Sequence, residues 1–269
     1  MIVSRPQLSV ITPVFNGIRF IEFCIKNVID QGCQEAEHVI IDGGSTDGTV
    51  EVIREYAKRH PHIRWISEPD EGQSDAMNKG VAKAAGEILG FLNADDYYEA
   101  GVLREVVPLF KRLKEPALLV GNCNVWNDAG NLITVNKPAQ ISLLNLLKGR
   151  YEDAFPLNPS AYFYHKSLHK RIAPYEVGEH FGMDVHFVFK AVQNANVTYV
   201  DRTWGNYRYL EGTKTFDDVQ SGMNPVRVTA ITRHYRQQQP FYVRAYLRAS
   251  EAWDRIAGSR TTTDSTAQQ

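Results

Sequence analysis

Two apolar runs in this chain end in acidic clusters, and that pattern leaves few folds open. Val39-Ile40-Ile41 leads into Asp42-Gly43-Gly44-Ser45-Thr46-Asp47-Gly48, and Ile88-Leu89-Gly90-Phe91-Leu92 leads into Asn93-Ala94-Asp95-Asp96. Short continuous apolar runs bounded by turn residues read as strands buried on both faces, the kind found in parallel sheets. Each acidic cluster then sits at a strand's carboxyl end, the edge where open α/β sheets bind ligands. The adjacent carboxylates Asp95 and Asp96 repel one another unless a cation intervenes. A divalent cation carrying a phosphorylated ligand is the natural countercharge. The plainer reading, a turn with a helix cap, is weakened by the strand-end context.

The rest of the first half fits this frame. Leu8-Ser9-Val10-Ile11 predicts a strand ended by Thr12-Pro13, and Phe20, Ile21, Cys24, Ile25, Val28 and Ile29 then recur at helical spacing. Ser45 and Thr46 are the expected caps of a helix carrying Val50, Val52, Ile53, Tyr56 and Ala57. Strands at 63–66, before Asn93 and at 117–120 alternate with helices at 74–85 and 102–113. Such β-α-β alternation predicts an α/β fold with a mostly parallel sheet covered on both faces. Beyond residue 121 the pattern loosens into a hairpin at 127–131, helices at 141–148, 166–171 and 183–195, and strands at 161–164 and 197–200. The expected division is a ligand-binding half over 1–121, a second half over 122–225, a helical segment over 226–257 and a disordered tail over 258–269.

Composition and missing motifs exclude several functions. A net charge of −1 and a pI of 6.7 give none of the basic footprint that nucleic-acid binding leaves. Three cysteines are too few for a disulfide scaffold and fit a reducing compartment. The sequence shows no leader and no apolar stretch of membrane-spanning length, so a cytoplasmic location is expected. Thr12-Pro13-Val14-Phe15-Asn16-Gly17 is no Gly-x-Gly-x-x-Gly loop, and no Gly-Lys-Ser/Thr phosphate loop occurs. Gly72-Gln73-Ser74-Asp75-Ala76 looks like a nucleophile elbow, but polar Glu68-Pro69-Asp70-Glu71 precedes it where a buried strand is needed. His165 and His169 lack a His-Glu-x-x-His frame and are expected at the surface.

Asp75, Asn78 and Lys79 lie three or four residues apart and share one side of their helix. A ligand-facing row and a solvated Asp75–Lys79 pair both fit that spacing. Taken in order, Thr12-Pro13-Val14-Phe15-Asn16, Asp42-Gly43-Gly44-Ser45-Thr46-Asp47-Gly48-Thr49, Gly72-Gln73-Ser74-Asp75-Ala76-Met77-Asn78-Lys79-Gly80 and Asn93-Ala94-Asp95-Asp96 resemble glycosyltransferase family 2, over about residues 7–210. The resemblance implies a GT-A fold, with a Rossmann-like central sheet and a smaller acceptor-side half. It also implies a nucleoside-diphosphate sugar donor, a UDP-sugar foremost, a Mn2+ or Mg2+ cofactor and inversion at the anomeric carbon. By position it places Pro13, Phe15, Asn16, Asp42 and Gly44 around the nucleoside, with Asp42 on the base, and Gly72, Asp75 and Asn78 along the donor. Asn93, Ala94 and Asp95 fall at the ribose, and Asp95 and Asp96 at the metal. Asn93 stands where an Asp-x-Asp motif usually starts, which makes Asp96 the principal metal ligand in this reading.

In the second half, Asn158-Pro159-Ser160-Ala161-Tyr162-Phe163-Tyr164 resembles the acceptor-side strand of that family. Gly182-Met183-Asp184-Val185-His186-Phe187 resembles the helix start that bears its catalytic base, which implies Asp184 in that role with Glu179 as second candidate. Trp204-Gly205-Asn206-Tyr207-Arg208 and Gly212-Thr213-Lys214-Thr215 resemble its closing loop, with Lys214 or Arg208 on the pyrophosphate or merely at a basic surface. Acceptors of the family are saccharides or lipid-linked saccharides of envelope biosynthesis. A nucleotidyltransferase, a serine hydrolase using Ser74 and a non-catalytic sugar-nucleotide sensor are the competing readings. Near the carboxyl end, Tyr235, Phe241, Tyr242, Tyr246, Leu247 and Trp253 interleave with Arg233, Arg236, Arg244 and Arg248. That segment suits an anionic membrane surface, or packing on the domain or on a dimer partner.

Overall fold

The computed structural model describes residues 5–179 and 181–264, and the side chains of Lys214 and of 254–264 lie outside the described residues. Strand β1 (Leu8–Val14) is buried along its whole length. Its side chains alternate between two faces, and both are covered. Leu8 and Val10 join one apolar cluster with Ile88, Val106 and Trp204. Ile11 joins the opposite one with Val39, Met77 and Phe189. β2 (Ala36–Asp42), β3 (Ile63–Ser67) and β4 (Ile88–Phe91) extend this layer in parallel. Helices α1 (Ile21–Asp30), α2 (Thr49–Arg59) and α3 (Gln73–Lys83) connect these strands, and α4 (Val102–Phe110) follows β5 (Tyr97–Tyr98).

The sheet continues through β6 (Ala117–Asn127), β7 (Leu132–Asn136), β8 (Tyr162–His165) and β9 (Asn196–Tyr209). Among the described residues it has nine strands in the order β3-β2-β1-β4-β8-β6-β9-β5, with β7 paired to β6. Only β5, β7 and β8 run against the rest. The expected α/β architecture and mostly parallel sheet are therefore found. Around it lie α5 (Leu143–Leu147), α6 (Tyr151–Ala154), α7 (Lys166–Ile172), α8 (Met183–Asn194), α9 (Lys214–Gln220), α10 (Met223–Gln237) and α11 (Phe241–Asp264). Residue 121, chosen above to divide two halves, falls inside β6.

Several local expectations are corrected. The segment Trp204-Gly205-Asn206-Tyr207-Arg208 is strand, not a closing loop: it belongs to β9, with Trp204 and Asn206 fully buried. Gly205 lies so close to Ser160 that a Cβ would come within 2.3 Å of its hydroxyl, and this contact explains a glycine inside a strand. The long helix expected over 227–257 is broken at Pro240, which has no N–H to continue α10. α11 runs on through 258–264, placed above in a disordered tail, because a helix satisfies its own backbone; residues 265–269 lie outside the described residues. Ser45 and Thr46 do not cap α2. Asp47 does, accepting the Thr49 N–H at 3.0 Å and its hydroxyl at 2.5 Å. His169 is buried rather than exposed, stacked on Tyr164 at 6.3 Å.

α3 seats tightly on β1. A Cβ at Gly80 would lie 2.3 Å from Cγ2 of Ile11. Gly80→Ala is therefore expected to destabilise the protein by about 1–3 kcal/mol, overpacking outweighing the roughly 1 kcal/mol that alanine normally gains in a helix. Denaturant unfolding checks this, and an unchanged or higher midpoint would show that the contact yields easily.

Candidate active site

The parallel layer aligns the carboxyl ends of β1, β2 and β3. Val14 pairs with Asp42 and Asp42 with Ser67, so the ends of three strands meet in one row. Asp42 is fully buried. Its Oδ2 accepts the N–H groups of Gly44 and Ser45 at 3.0 Å and the Ser67 hydroxyl at 2.7 Å. Its Oδ1 is buried without a hydrogen-bond partner. Beside it, Asn16 ties the two strand ends together, donating its N–H to Ser45 and accepting that of Thr46. Asn16 and Gly44 both hold left-handed backbone, at φ 47° and 87°. Phe15 is exposed at this edge.

After β4 the chain turns, with the Asp96 N–H donating to the Asn93 carbonyl at 3.1 Å. The turn delivers two carboxylates of different character. Asp96 is fully buried, and its Oδ2 accepts from Asn93 at 3.1 Å and Asn158 at 2.8 Å. Its Oδ1 accepts the Arg208 N–H at 3.0 Å. The Asp95 carboxylate accepts its own backbone N–H, and the Arg208 guanidinium bonds the Asp95 backbone carbonyl. Burial drives both carboxyls above the ordinary carboxylate range, and the charge of Asp95 pushes Asp96 further.

Asp95 and Asp96 line one end of a cavity of about 710 Å³, together with Gln73 and Asn93. Gln73 donates to Asn93 at 3.1 Å and so carries the start of α3 to this turn. Asp184, in the first turn of α8, lines the same cavity. The remaining cavity carboxylate, Asp218, is ion-paired with Arg227 at 2.6 Å. α10 forms a wall along its length, from Asn224 through Val228, Thr229 and Thr232 to Arg233 and Arg236. That stripe is spaced as one helix face. Its far end is closed by α5 and α6, where Arg236 bonds the Leu147 carbonyl and Thr232 meets the Tyr151 hydroxyl.

Other expected residues are drawn elsewhere. Pro13, Phe15, Asn16, Asp42, Gly44, Gly72, Asp75, Asn78 and Ala94 are not among those lining the cavity. Asn78 holds the loop before α8: its amide donates to the Tyr175 carbonyl at 2.8 Å and accepts the Tyr175 N–H at 2.9 Å. Both ends of that amide are thereby engaged in holding this loop. Asp75 forms the solvated pair with Lys79 at 3.0 Å. Gly72 gives α3 a sharp entry, at φ 110°. The side chain of Lys214 lies outside the described residues, so its expected role on the pyrophosphate is not addressed. Arg208 faces a separate hollow with Phe20 and Trp126.

Glu179 turns out to be a backbone anchor. Its carboxylate accepts the N–H groups of Phe181 at 3.0 Å and Gly182 at 2.7 Å, just ahead of α8. Burial works upward on it, yet those donors outweigh it and hold the carboxyl below its ordinary value. Ser74 is buried, with its hydroxyl donating to the Glu179 carbonyl at 3.0 Å. A serine so placed is no nucleophile, and the hydrolase reading falls. Sequence reasoning missed Gln73, Asn158 as a partner of Asp96, and the whole α10 wall.

Comparison with known proteins agrees with this geometry. The family model described as Glycosyl transferase family 2 matches residues 9–173. The glycosyltransferase EpsJ of Bacillus subtilis, itself uncharacterised, is 26% identical over 251 residues, covering 88% of this chain and 70% of that protein. Two further curated relatives are matched over only 28% and 19% of their length. Among solved structures, S. aureus TarS 1-349 in complex with UDP-GlcNAc superposes with a TM-score of 0.62 at 21% identity, over 77% of this chain and 60% of that one. The mannosyltransferase PcManGT of Pyrobaculum calidifontis, in complex with GDP-Man and Mn2+, gives 0.62 at 21% identity over 98% of this chain and 76% of that one.

Proposed function

We propose, from the premise that this chain belongs to glycosyl transferase family 2, that it moves a sugar from a nucleoside diphosphate to an acceptor hydroxyl with inversion at the anomeric carbon. The observation that carries this reading is the shared cavity, with Asp95 and Asp96 at one end and Asp184 on its wall. The nucleotide sugars held by TarS and PcManGT, and the Mn2+ of the latter, support the same class of donor and cofactor. The competing nucleotidyltransferase and sensor readings find no feature in this cavity that favours them.

A divalent cation suits the donor set. Carboxylate oxygens are ligands for Mn2+ or Mg2+, and a buried acidic pair gains most from a cation. No group of three or more His, Cys, Asp or Glu converges among the described residues, so Asp95 and Asp96 are the carboxylates that would hold a cation here. Asp96 already has three N–H donors, whereas the Asp95 carboxylate meets only its own backbone N–H among the described residues. We therefore assign the metal-binding carboxylate to Asp95 and give Asp96 the task of fixing the turn, reversing the order implied by the sequence. When bound, the cation neutralises charge on the departing diphosphate.

Asp184 takes the proton of the acceptor hydroxyl as that oxygen bonds the anomeric carbon from the face opposite the diphosphate. The bond from that carbon to the diphosphate breaks, and its electron pair leaves with the nucleoside diphosphate. Asp184 sits in the first turn of α8 and faces the same cavity as Asp95 and Asp96. The acceptor lies along α10, where Thr229, Thr232 and Arg233 present polar groups. In this reading residues 1–121 serve mainly the donor, 122–225 the acceptor, and α10 extends the acceptor side. A saccharide or lipid-linked saccharide of envelope biosynthesis, met at the cytoplasmic side, is the acceptor class.

The nucleoside lies at the ends of β1 and β2, with its base against Oδ1 of Asp42. Asp42→Ala is expected to weaken nucleotide binding by about 1–3 kcal/mol, the cost of an unpaired buried donor on the ligand. Titration calorimetry of UDP and GDP checks it, and an unchanged dissociation constant would leave Asp42 as a turn residue only. The proposal as a whole is tested by thermal shift against a panel of sugar nucleotides, with and without Mn2+. A metal-dependent rise with one donor is expected; no rise with any donor would refute the reading.

A further inference from the structure

α11 carries its apolar side outward. Leu247 is buried and Val243 packs against the core, so the inner face of this helix is accounted for. On the outer side Phe241 is 74%, Tyr242 73%, Tyr246 51% and Trp253 69% exposed. Tyr242, Tyr246 and Trp253 are spaced by four and seven residues and form one stripe along the helix. Arg244 and Arg248 are also exposed and lie at the other edge of the solvent-facing side, across exposed Ala245 and Ala249 from that stripe. Glu251, the acidic residue of this stretch, is turned to Arg236 at 2.6 Å. Lys148 adds a cation, 4.9 Å above the Tyr246 ring.

We propose that this face of α11 docks on an anionic lipid bilayer. Rings that pair an apolar body with a polar edge belong at the boundary between headgroups and acyl chains, and anionic headgroups attract both Lys148 beside the stripe and the arginines at the opposite edge of the exposed side. No helix among the described residues is long and apolar enough to cross a membrane, so the contact is interfacial. A second copy of the chain is a poor occupant on size. Thirteen helical residues make a face roughly 20 Å long and 10 Å wide, about 200 Å², far below the roughly 800 Å² per partner of a stable interface. Lys148 immediately precedes Gly149, which lines the cavity, so docking would bring the cavity's far end near the bilayer. The inference does not depend on the reaction assigned above.

The test is co-sedimentation of the full chain with vesicles of phosphatidylcholine alone and of phosphatidylcholine mixed with phosphatidylglycerol, at low and high salt. Binding to the mixed vesicles, weakened by salt, is expected. The pair Arg244→Gln and Arg248→Gln should lower it about 30-fold, at roughly fivefold per cation near an anionic surface. The triple variant Tyr242→Ser, Tyr246→Ser and Trp253→Ser should lower it at least tenfold. Circular dichroism melting shows that both variants fold, and the arginine pair, wholly exposed, supplies a second route if the triple variant does not. Equal recovery with and without mixed vesicles would overturn the proposal. So would a dimer in solution that the triple variant converts to monomer, which would make the face a self-association surface.

Discussion

Asp184→Asn is expected to lower sugar transfer by about 10²–10⁴-fold, the usual contribution of a positioned base, and to leave donor affinity unchanged. The substitution keeps the shape and removes the basic lone pair. Position is secured by a rigid element, because α8 is anchored through buried Val185, Phe187, Val188 and Ala191. Glu179→Gln should cost transfer much less, since that carboxylate serves the N–H groups of Phe181 and Gly182. Single-turnover transfer and nucleotide calorimetry on both variants separate the roles. Normal transfer by Asp184→Asn with loss in Glu179→Gln would move the base to Glu179.

Asp95→Asn should remove the metal-dependent part of nucleotide binding and reduce transfer by roughly 10³-fold, corresponding to several kcal/mol of charge stabilisation. The fold should persist, because the change relieves repulsion from buried Asp96 and an amide oxygen can still accept the Asp95 backbone N–H. Asp96→Asn should behave differently. Its carboxylate accepts from Asn93, Asn158 and the Arg208 N–H, so an amide there disturbs the turn and lowers thermal stability as well. Calorimetry with UDP and Mn2+ checks the pair. Full metal dependence in Asp95→Asn, with loss only in Asp96→Asn, would restore Asp96 as the ligand.

What the sequence disclosed was local. β1 to β4 and α1 to α4 follow from apolar period and turn residues, and the acidic strand ends from their position behind buried runs. The long-range partners were not legible for another reason. Asn78 is held by Tyr175, 97 residues away, and Asp96 by Asn158, 62 residues away. Nothing in the helical spacing of Asn78 distinguishes a ligand contact from a loop clamp. Trp204 to Arg208 read as a loop through the resemblance to the family's closing loop, whereas here they form strand and close approach to Ser160 is what requires Gly205. The α10 wall was illegible because only tertiary packing decides which helix face meets a cavity. α11 was half legible: its aromatic and arginine content was plain, but not that the stripe faces outward.

The most direct test of the account is a crystal structure of the chain with its best-binding sugar nucleotide and Mn2+. The account predicts the cation between the Asp95 carboxylate and the diphosphate, and the base against Oδ1 of Asp42. It places the anomeric carbon facing Asp184 across the 710 Å³ cavity. A diphosphate bound away from Asp95 and this cavity, or an Asp184 on the same side of the sugar as the departing diphosphate, would contradict it.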